Sequence, residues 1–105
     1  MLQKRRRLAA VIVPLFLFTG LSAFIPKEQV YDGGKELYEK KCARCHGKDG
    51  TKGLFGARNL QISKLDDAGY IRVISEGRNI MPAWQKKLNE GQINLIVLYI
   101  KALRK

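Results

Sequence analysis

The sequence is poor in cysteine, histidine and acidic side chains. Its 105 residues include two Cys, one His and nine acidic residues against 20 Lys and Arg, for a net charge of +11. Two cysteines are too few for a disulfide-dense secreted scaffold, and a zinc site would lack a fourth Cys or His ligand. A hydrophobic content of 46% excludes a disordered chain. What remains is one small folded domain, because the length allows no more.

Other patterns are absent as well. No stretch alternates between apolar and polar residues as a half-buried strand would, so the expected fold is all-α. No acid/base pair or nucleophile constellation suggests an active site, and an enzyme is therefore not expected. The basic residues form no stripe interleaved with aromatic side chains, which argues against nucleic acid as a partner.

The N-terminus carries a basic cluster followed by an apolar run. Lys4–Arg7 precedes the apolar stretch Leu8–Phe18, in the order typical of export signals. The cleavage site is poor, because Leu21 stands where a small residue is wanted. If small polar residues are tolerated, the run extends over 8–25, near the lower limit of about 17 residues for a membrane-spanning helix. Residues 1–26 therefore predict either a cleaved signal or a retained membrane anchor.

The remaining chain, 27–105, is expected outside the cytoplasm under both interpretations, because the basic cluster stays inside. The expected localisation is periplasmic, either soluble or tethered through residues 8–25. Four of the 20 basic residues and none of the nine acids lie in 1–26, which still leaves a basic domain. A domain this small rarely builds a sufficient core from side chains alone, so a bound cofactor is expected.

The first expected helix leads into the two cysteines. We interpret Ile25–Val30 as a linker and expect the helix to start near Asp32, a suitable N-cap. Steps of three and four residues then place small and apolar side chains on one face of this helix. These side chains are Gly34, Leu37, Tyr38 and Cys42.

Two further helices are expected. The second starts near Asp66 and ends at Gly77, which suits the position after a helix. The third starts at Asn89, where Gln92 would complete a capping box. Its apolar residues recur at helical spacing; they are Ile93, Ile96, Val97, Ile100 and Leu103. The Gly-rich loop 47–60 is long for so small a domain and needs something to wrap around.

A C-x-x-C-H pattern of covalent c-type haem attachment follows the first helix. It consists of Cys42, Cys45 and His46 with two residues between the cysteines. Thiols three positions apart lie on the same side of a helical turn, where each can add to one vinyl group at a haem edge. His46 is then placed to supply an imidazole nitrogen to the iron. One covalently bound haem c is therefore the expected cofactor.

Two other uses of the cysteine pair remain open. A thiol–disulfide exchange protein also has C-x-x-C, although normally at the N-terminus of a helix in a strand-containing fold. A plain structural disulfide is compatible with an oxidising compartment, but it would leave His46 without a role.

The second iron ligand is expected to be Met81. Apart from the initiator it is the only Met in the chain, and His46 is the only His. Met81 precedes Pro82, which disfavours a helical conformation at Met81 and holds the chain extended. A thioether in such a loop can complete His/Met ligation, which raises the reduction potential of the iron.

The chain resembles a class I cytochrome c of the short bacterial monohaem type. The resemblance covers residues 31–103, and the residues that carry it are Gly34, Tyr38, the C-x-x-C-H pattern, the segment from Gly77 to Trp84, and Tyr99. It implies three main helices around one haem, with Gly34 packed against Tyr99 or its neighbour Ile96.

One loop departs from that family. Many relatives have a Pro after the haem motif, and the carbonyl group of this Pro holds the histidine ring. Residues 56–60 contain no Pro, so a backbone carbonyl near Gly56 or Ala57 is expected to accept the N–H of His46 instead.

The expected function is one-electron transfer. With His46 and Met81 both on the iron, no coordination position is open for a substrate. The alternative is a fixed haem c subunit of a membrane or periplasmic dehydrogenase or oxidase. A thiol redox protein that never receives haem is the third hypothesis.

A basic rim is expected around the haem crevice and would steer a monomeric carrier onto acidic docking surfaces. The lysines expected there are Lys48, Lys52, Lys86 and Lys87. Arg58, Arg78 and Asn79 are candidate donors to the haem propionates, and Trp84 is a candidate cover for a haem edge.

Overall fold

The structure, a computed structural model, describes residues 10–15, 20 and 24–105. These residues form four α-helices, two short 3₁₀ turns and no β-strand. The helices are α1 (Lys27–Lys41), α2 (Ala43–His46), α3 (Asp67–Glu76) and α4 (Glu90–Leu103), and the 3₁₀ turns are Leu54–Gly56 and Trp84–Lys86. The predicted all-α fold is confirmed.

The start of α1 corrects two sequence predictions. The helix begins at Lys27, directly after Pro26, and not near Asp32, so most of the predicted linker Ile25–Val30 is helical. Pro26 has no amide hydrogen to leave unpaired, and its carbonyl accepts the amide of Val30 at 3.3 Å. Glu28 lies in the first turn, where its charge is favourable beside the positive end of the helix dipole.

Helices α3 and α4 start at the predicted caps. The Asp66 carboxylate accepts the amide of Gly69 at 2.7 Å, and α3 ends before Gly77, whose φ is +73°. Asn89 and Gln92 form the predicted capping box, with reciprocal bonds of 2.8 and 2.9 Å. These bonds satisfy amides that a helix start would otherwise leave unpaired.

The core lies where α1 crosses α4. Tyr38 and Ile96 are fully buried, and the rings of Tyr38 and Tyr99 pack with their centroids 5.1 Å apart. Gly34 permits the close approach of the two helices: a Cβ atom there would overlap the carbonyl oxygen of Leu95 and lie 3.1 Å from the Cβ of Tyr99. The predicted packing of Gly34 against Tyr99 is confirmed, and the main chain of Leu95 is an additional contact.

Gly34→Ala should lower the free energy of unfolding by about 1–3 kcal/mol, because the new methyl group overpacks the helix crossing. Gly33→Ala is the matched control: its methyl group would lie 3.5 Å from Leu95 Cδ1, which is an ordinary contact. The control should raise stability by about 0.5 kcal/mol through the gain in helix propensity. Denaturant unfolding of the purified variants measures both values, and equal midpoints would contradict the proposed close packing.

The segment 1–26 lies largely outside the described residues. The parts that are described, 10–15, 20 and 24–26, are not helical. Within the portion of the chain that the structure covers, no helix is both long and apolar enough to cross a membrane.

Candidate functional site

A cavity of about 600 Å³ opens between α2, α3 and the loops that follow α2 and α3. All four predicted site residues line it; they are Cys42, Cys45, His46 and Met81. Its remaining walls come from the stretches 54–65 and 78–84, from α3 and from Ile100 of α4. The cavity thus occupies the space around which the long loops were expected to wrap.

The C-x-x-C-H residues form their own helical turn. Helix α1 ends where the amide of Cys42 donates to the carbonyl of Tyr38 at 2.8 Å. The amides of Cys45 and His46 then donate to the carbonyl of Cys42 at 3.2 and 3.0 Å. Gly47, with a φ of +82°, ends the turn in a conformation that side chains rarely adopt.

The two thiols have different surroundings. Cys42 is buried, whereas Cys45 is partly exposed. Burial, reinforced by the negative charge that Cys45 carries when ionised, raises the pKa of the Cys42 thiol to about 12.

The ring of His46 is held by the main chain. Its Nδ1 lies 3.0 Å from the carbonyl oxygen of Arg58, to which it donates when Nδ1 carries the proton. The acceptor lies in the predicted stretch near Gly56 and Ala57, and the particular carbonyl is that of Arg58, the next residue. The loop turns sharply at Phe55 and Gly56, with φ values of +53° and +79°, and brings the carbonyl of Arg58 to the ring. This bond leaves Nε2 free to bind a metal ion.

Met81 is held by a tight loop. Its amide donates to the carbonyl of Arg78 at 2.9 Å, across a turn in which Asn79 has a φ of +54°. Gly77 packs directly against the main chain at the end of this loop. A Cβ atom there would lie within 3.0 Å of main-chain atoms of Pro82 and Ala83. The side chain of Met81 is half-buried and packs against the core. The loop thus presents a thioether to the cavity from a constrained position.

The cations at the cavity differ from the predicted basic rim. None of Lys48, Lys52, Lys86 and Lys87 lines the cavity itself, and their place around its opening stays a prediction. The basic residues that do line it are Lys41, Arg58, Lys64 and Arg78. Lys87 contacts Trp84, which lines the cavity. The ammonium groups of Lys87 and Lys41 each lie 5.9 Å from the centre of the indole ring.

The residues that follow α4 form hydrogen bonds to the stretch 61–65 and to Tyr70, on one side of the cavity. Arg104 donates to the Tyr70 hydroxyl at 3.1 Å and to the carbonyl of Leu65, and its guanidinium lies 5.0 Å from the centre of the Tyr70 ring. The amide of Lys105 donates to the carbonyl of Gln61 at 2.9 Å. Sequence reasoning missed this connection, because nothing local to Arg104 indicates a partner more than 30 residues away.

Tyr38 connects the core to the C-x-x-C-H turn. Its hydroxyl donates to the carbonyl of Gly47 at 2.6 Å, next to His46. Burial, followed by the charge on ionised Cys42, raises the pKa of Tyr38 well above its ordinary value of 10.0. The sequence identified Tyr38 as part of a helix face but not as a bond to this turn.

Tyr38→Phe should lower the free energy of unfolding by about 1 kcal/mol at neutral pH, through loss of this bond. Above a pH of about 10 the unfolded tyrosine loses its proton while the folded one keeps it, so the wild type loses stability as pH rises. The variant should lose less. Denaturant unfolding at several pH values measures both effects, with the exposed Tyr31→Phe as control, and equal pH slopes in wild type and Tyr38→Phe would contradict this account.

The residues around the cavity fit a haem. The volume falls within the range of about 300–1,000 Å³ that small-molecule and cofactor sites have. The walls combine apolar side chains with a free imidazole nitrogen and a soft thioether, which is a donor set that iron accepts. Two thiols on one helical turn complete the arrangement.

The fold and the site together define a small class I c-type cytochrome. Residues 29–100 match the model of a family described as cytochrome c oxidase, cbb3-type, subunit III, and the chain belongs to this family. Membership implies covalently bound haem c and electron transport. It decides against the hypothesis of a thiol redox protein without haem.

Individual relatives agree with this assignment. The chain is 35% identical to the cbb3-type cytochrome c oxidase subunit FixP of Bradyrhizobium diazoefficiens over 88 residues, which cover 75% of this chain and 30% of the relative. It is 30% identical to the subunit CcoP of Azospirillum brasilense over 80 residues, with 67% and 27% covered. Cytochrome c6 of Leptolyngbya boryana is 30% identical over 74 residues, 65% of this chain and 85% of that protein. The chain thus spans less than a third of the two oxidase subunits.

Proposed function

We propose that this cytochrome is a one-electron carrier that passes electrons between redox proteins outside the cytoplasm. The observation that carries the proposal is the convergence of Cys42, Cys45, His46 and Met81 on one cavity. When bound there, the haem supplies the one-electron couple of its iron. The residues of the chain hold the haem, supply the ligands of its iron and exclude water from it.

Each site residue has a distinct role in the proposal. Cys42 and Cys45 would bind the haem through thioethers, and His46 and Met81 would ligate the iron. The Arg58 carbonyl orients the imidazole and increases its basicity. If His46 and Met81 both ligate the iron, no coordination position would be left for a substrate, so we do not expect the domain itself to be an enzyme.

The remaining assignments concern the chain outside the site. Residues 1–26 would direct export as a signal or anchor, and 27–105 would form the monohaem domain in the periplasm. The domain would act as a monomer, alone or tethered.

A second candidate function is that of a fixed haem c subunit in a membrane oxidase. The family model and the FixP and CcoP relatives favour it, whereas the likeness to cytochrome c6 favours a separate carrier. Purification from native membranes in mild detergent distinguishes the two: a fixed subunit remains with an oxidase through gel filtration, and a carrier elutes by itself.

The cations at the cavity should make electron transfer sensitive to salt. Oxidation of the ferrous protein by the anion hexacyanoferrate(III) should slow as ionic strength rises, because opposite charges steer the encounter. Lys64→Glu and Arg78→Glu should each slow it several-fold at low salt, whereas Lys35→Glu, on the exposed side of α1, should have less effect. Stopped-flow absorbance measures these rates, and a rate independent of salt would contradict electrostatic steering by the cations at the cavity.

A further inference from the structure

The exposed apolar side chains of residues 24–105 fall into two groups. Five of the large ones line the haem cavity, where the cofactor accounts for them; they are Leu54, Phe55, Ile62, Leu65 and Ile80. The other four are Phe24, Ile25, Tyr31 and Leu98. No function described so far uses this second group.

The second group surrounds a separate groove. A recess of about 330 Å³ between the start of α1 and the middle of α4 is lined by Ile25, Lys27, Val30, Tyr31 and Leu98. We call these five residues, with Phe24, the α1/α4 patch. Ile25, Tyr31 and Leu98 are 65%, 44% and 47% exposed, although each is apolar enough to be expected inside. Exposed apolar residues that cluster in this way mark a site of interaction with a protein, a membrane or a ligand.

The patch is continuous with the apolar run of the N-terminal segment. That run ends at Ile25, which is itself a member of the patch, and α1 starts two residues later. Whatever medium receives residues 8–25 therefore lies directly against the α1/α4 patch. For a retained anchor that medium is a lipid bilayer.

The composition of the patch suits the boundary between lipid and water. Tyr31 is an aromatic residue with a polar tip, and its ring is fixed by packing against Tyr99 with centroids 5.3 Å apart. Lys27 can lay its methylene chain along apolar surface while its ammonium stays in water. Charges of both signs alternate nearby, as in Glu28 and Lys35, so the attraction is apolar and not electrostatic.

Contact at this patch would leave the haem cavity open. The residues that line the groove and those that line the cavity have no member in common. Along α1, Tyr31 and Cys42 are separated by about 16 Å, at a rise of ~1.5 Å per residue. A bilayer against the start of α1 therefore does not cover the opening at its other end.

We propose that the α1/α4 patch rests on the surface of the bilayer and fixes the orientation of a tethered haem domain. This inference rests on the proposed function in its anchored form. The tether then does more than hold the domain near the membrane: it keeps the cavity turned toward partners that move along the same membrane.

Lipid photolabelling of the full chain tests the proposal. The haem-containing protein is placed in phosphatidylcholine nanodiscs in which a fraction of the acyl chains carry a diazirine, and labelled peptides are identified by mass spectrometry after illumination. We expect labels on 24–31 and on the peptide with Leu98. Leu98→Glu should reduce labelling of that peptide and of 24–31 about tenfold. Ala68→Glu, at an exposed position of α3 that lines neither the groove nor the cavity, adds the same charge and should change nothing.

Four results would overturn the inference: labels confined to residues before 24, labelling that disappears at high salt, cross-links to a second protein at the patch, or a native mass that lacks the N-terminal segment. Leu98→Gln serves as a second variant if Leu98→Glu does not fold. The visible spectrum and a reductive titration of the same samples report haem attachment and one-electron transfer independently of the labels. These measurements thus distinguish failure of the membrane contact from failure of the proposed function.

Discussion

The double variant Cys42→Ala/Cys45→Ala is expected to lack covalently bound haem and most of its native helix. Both thiols lie at one cavity of about 600 Å³, and removing the covalent links removes what holds a cofactor there. An empty apolar space of that size is far larger than the cavities that already cost a protein several kcal/mol. A domain this small has little other stability in reserve. The expected result is a largely unfolded chain.

Intact mass and far-ultraviolet circular dichroism measure this result. Arg44→Ala is the matched control, because Arg44 lies between the two cysteines with its side chain exposed. The control should retain the added mass of one haem and full helicity. A double variant with native helicity and no tetrapyrrole would show that the protein interior does not depend on the cofactor.

Met81→Ala is expected to abolish the near-infrared sulfur-to-iron band of the ferric protein. Loss of the thioether should also lower the reduction potential, on the order of 0.1 V or more, because axial ligands set haem potentials over a wide range. The vacated coordination position should then bind added imidazole or cyanide.

Absorption spectroscopy and a potentiometric titration measure these changes. Gln85→Ala is the control, since Gln85 lies in the 3₁₀ turn that follows the loop, is exposed and does not line the cavity. The control should keep the band and the potential of the wild type. If the spectrum of Met81→Ala stays the same, another group must occupy the sixth position and the assignment of Met81 is wrong.

The elements that could be predicted from the sequence are those with local causes. Asp66 and Asn89 each bond an amide three residues further on, so the helix starts there can be identified from a few neighbouring residues. The start of α1 has no such side-chain bond at its cap, and Asp32, a suitable cap residue that lies inside the helix, suggests a wrong start. Pro26 was the available signal, because Pro is common at the beginning of helices.

The convergence of the site residues depended on a motif and on the scarcity of alternatives. Cys42, Cys45 and His46 are adjacent in sequence, and Met81 was the only internal methionine. The carbonyl that holds His46 could not be predicted in the same way. Its position depends on successive left-handed conformations at Phe55 and Gly56, and a phenylalanine in that conformation has no sequence signature.

The location of the cations also depends on tertiary structure. Loop membership alone suggested that Lys48 and Lys52 surround the cavity, but the direction of a loop side chain is set by contacts with distant elements. The cations that line the cavity include Lys41, from the end of α1, and Lys64, from the stretch before α3. Lys41 and Lys64 are far apart in sequence, and folding brings them together at the cavity.

The bonds made by Arg104 and Lys105 have a consequence for how the interior opens. Helix ends fray at a lower free-energy cost than helix centres. When the last turn of α4 frays, the stretch 61–65 is released, while the crossing at Gly34 and Leu95, about two and a half turns away, stays closed. Small exogenous molecules should therefore enter the cavity beside Tyr70 when this last turn opens. This local opening should require less free energy than global unfolding.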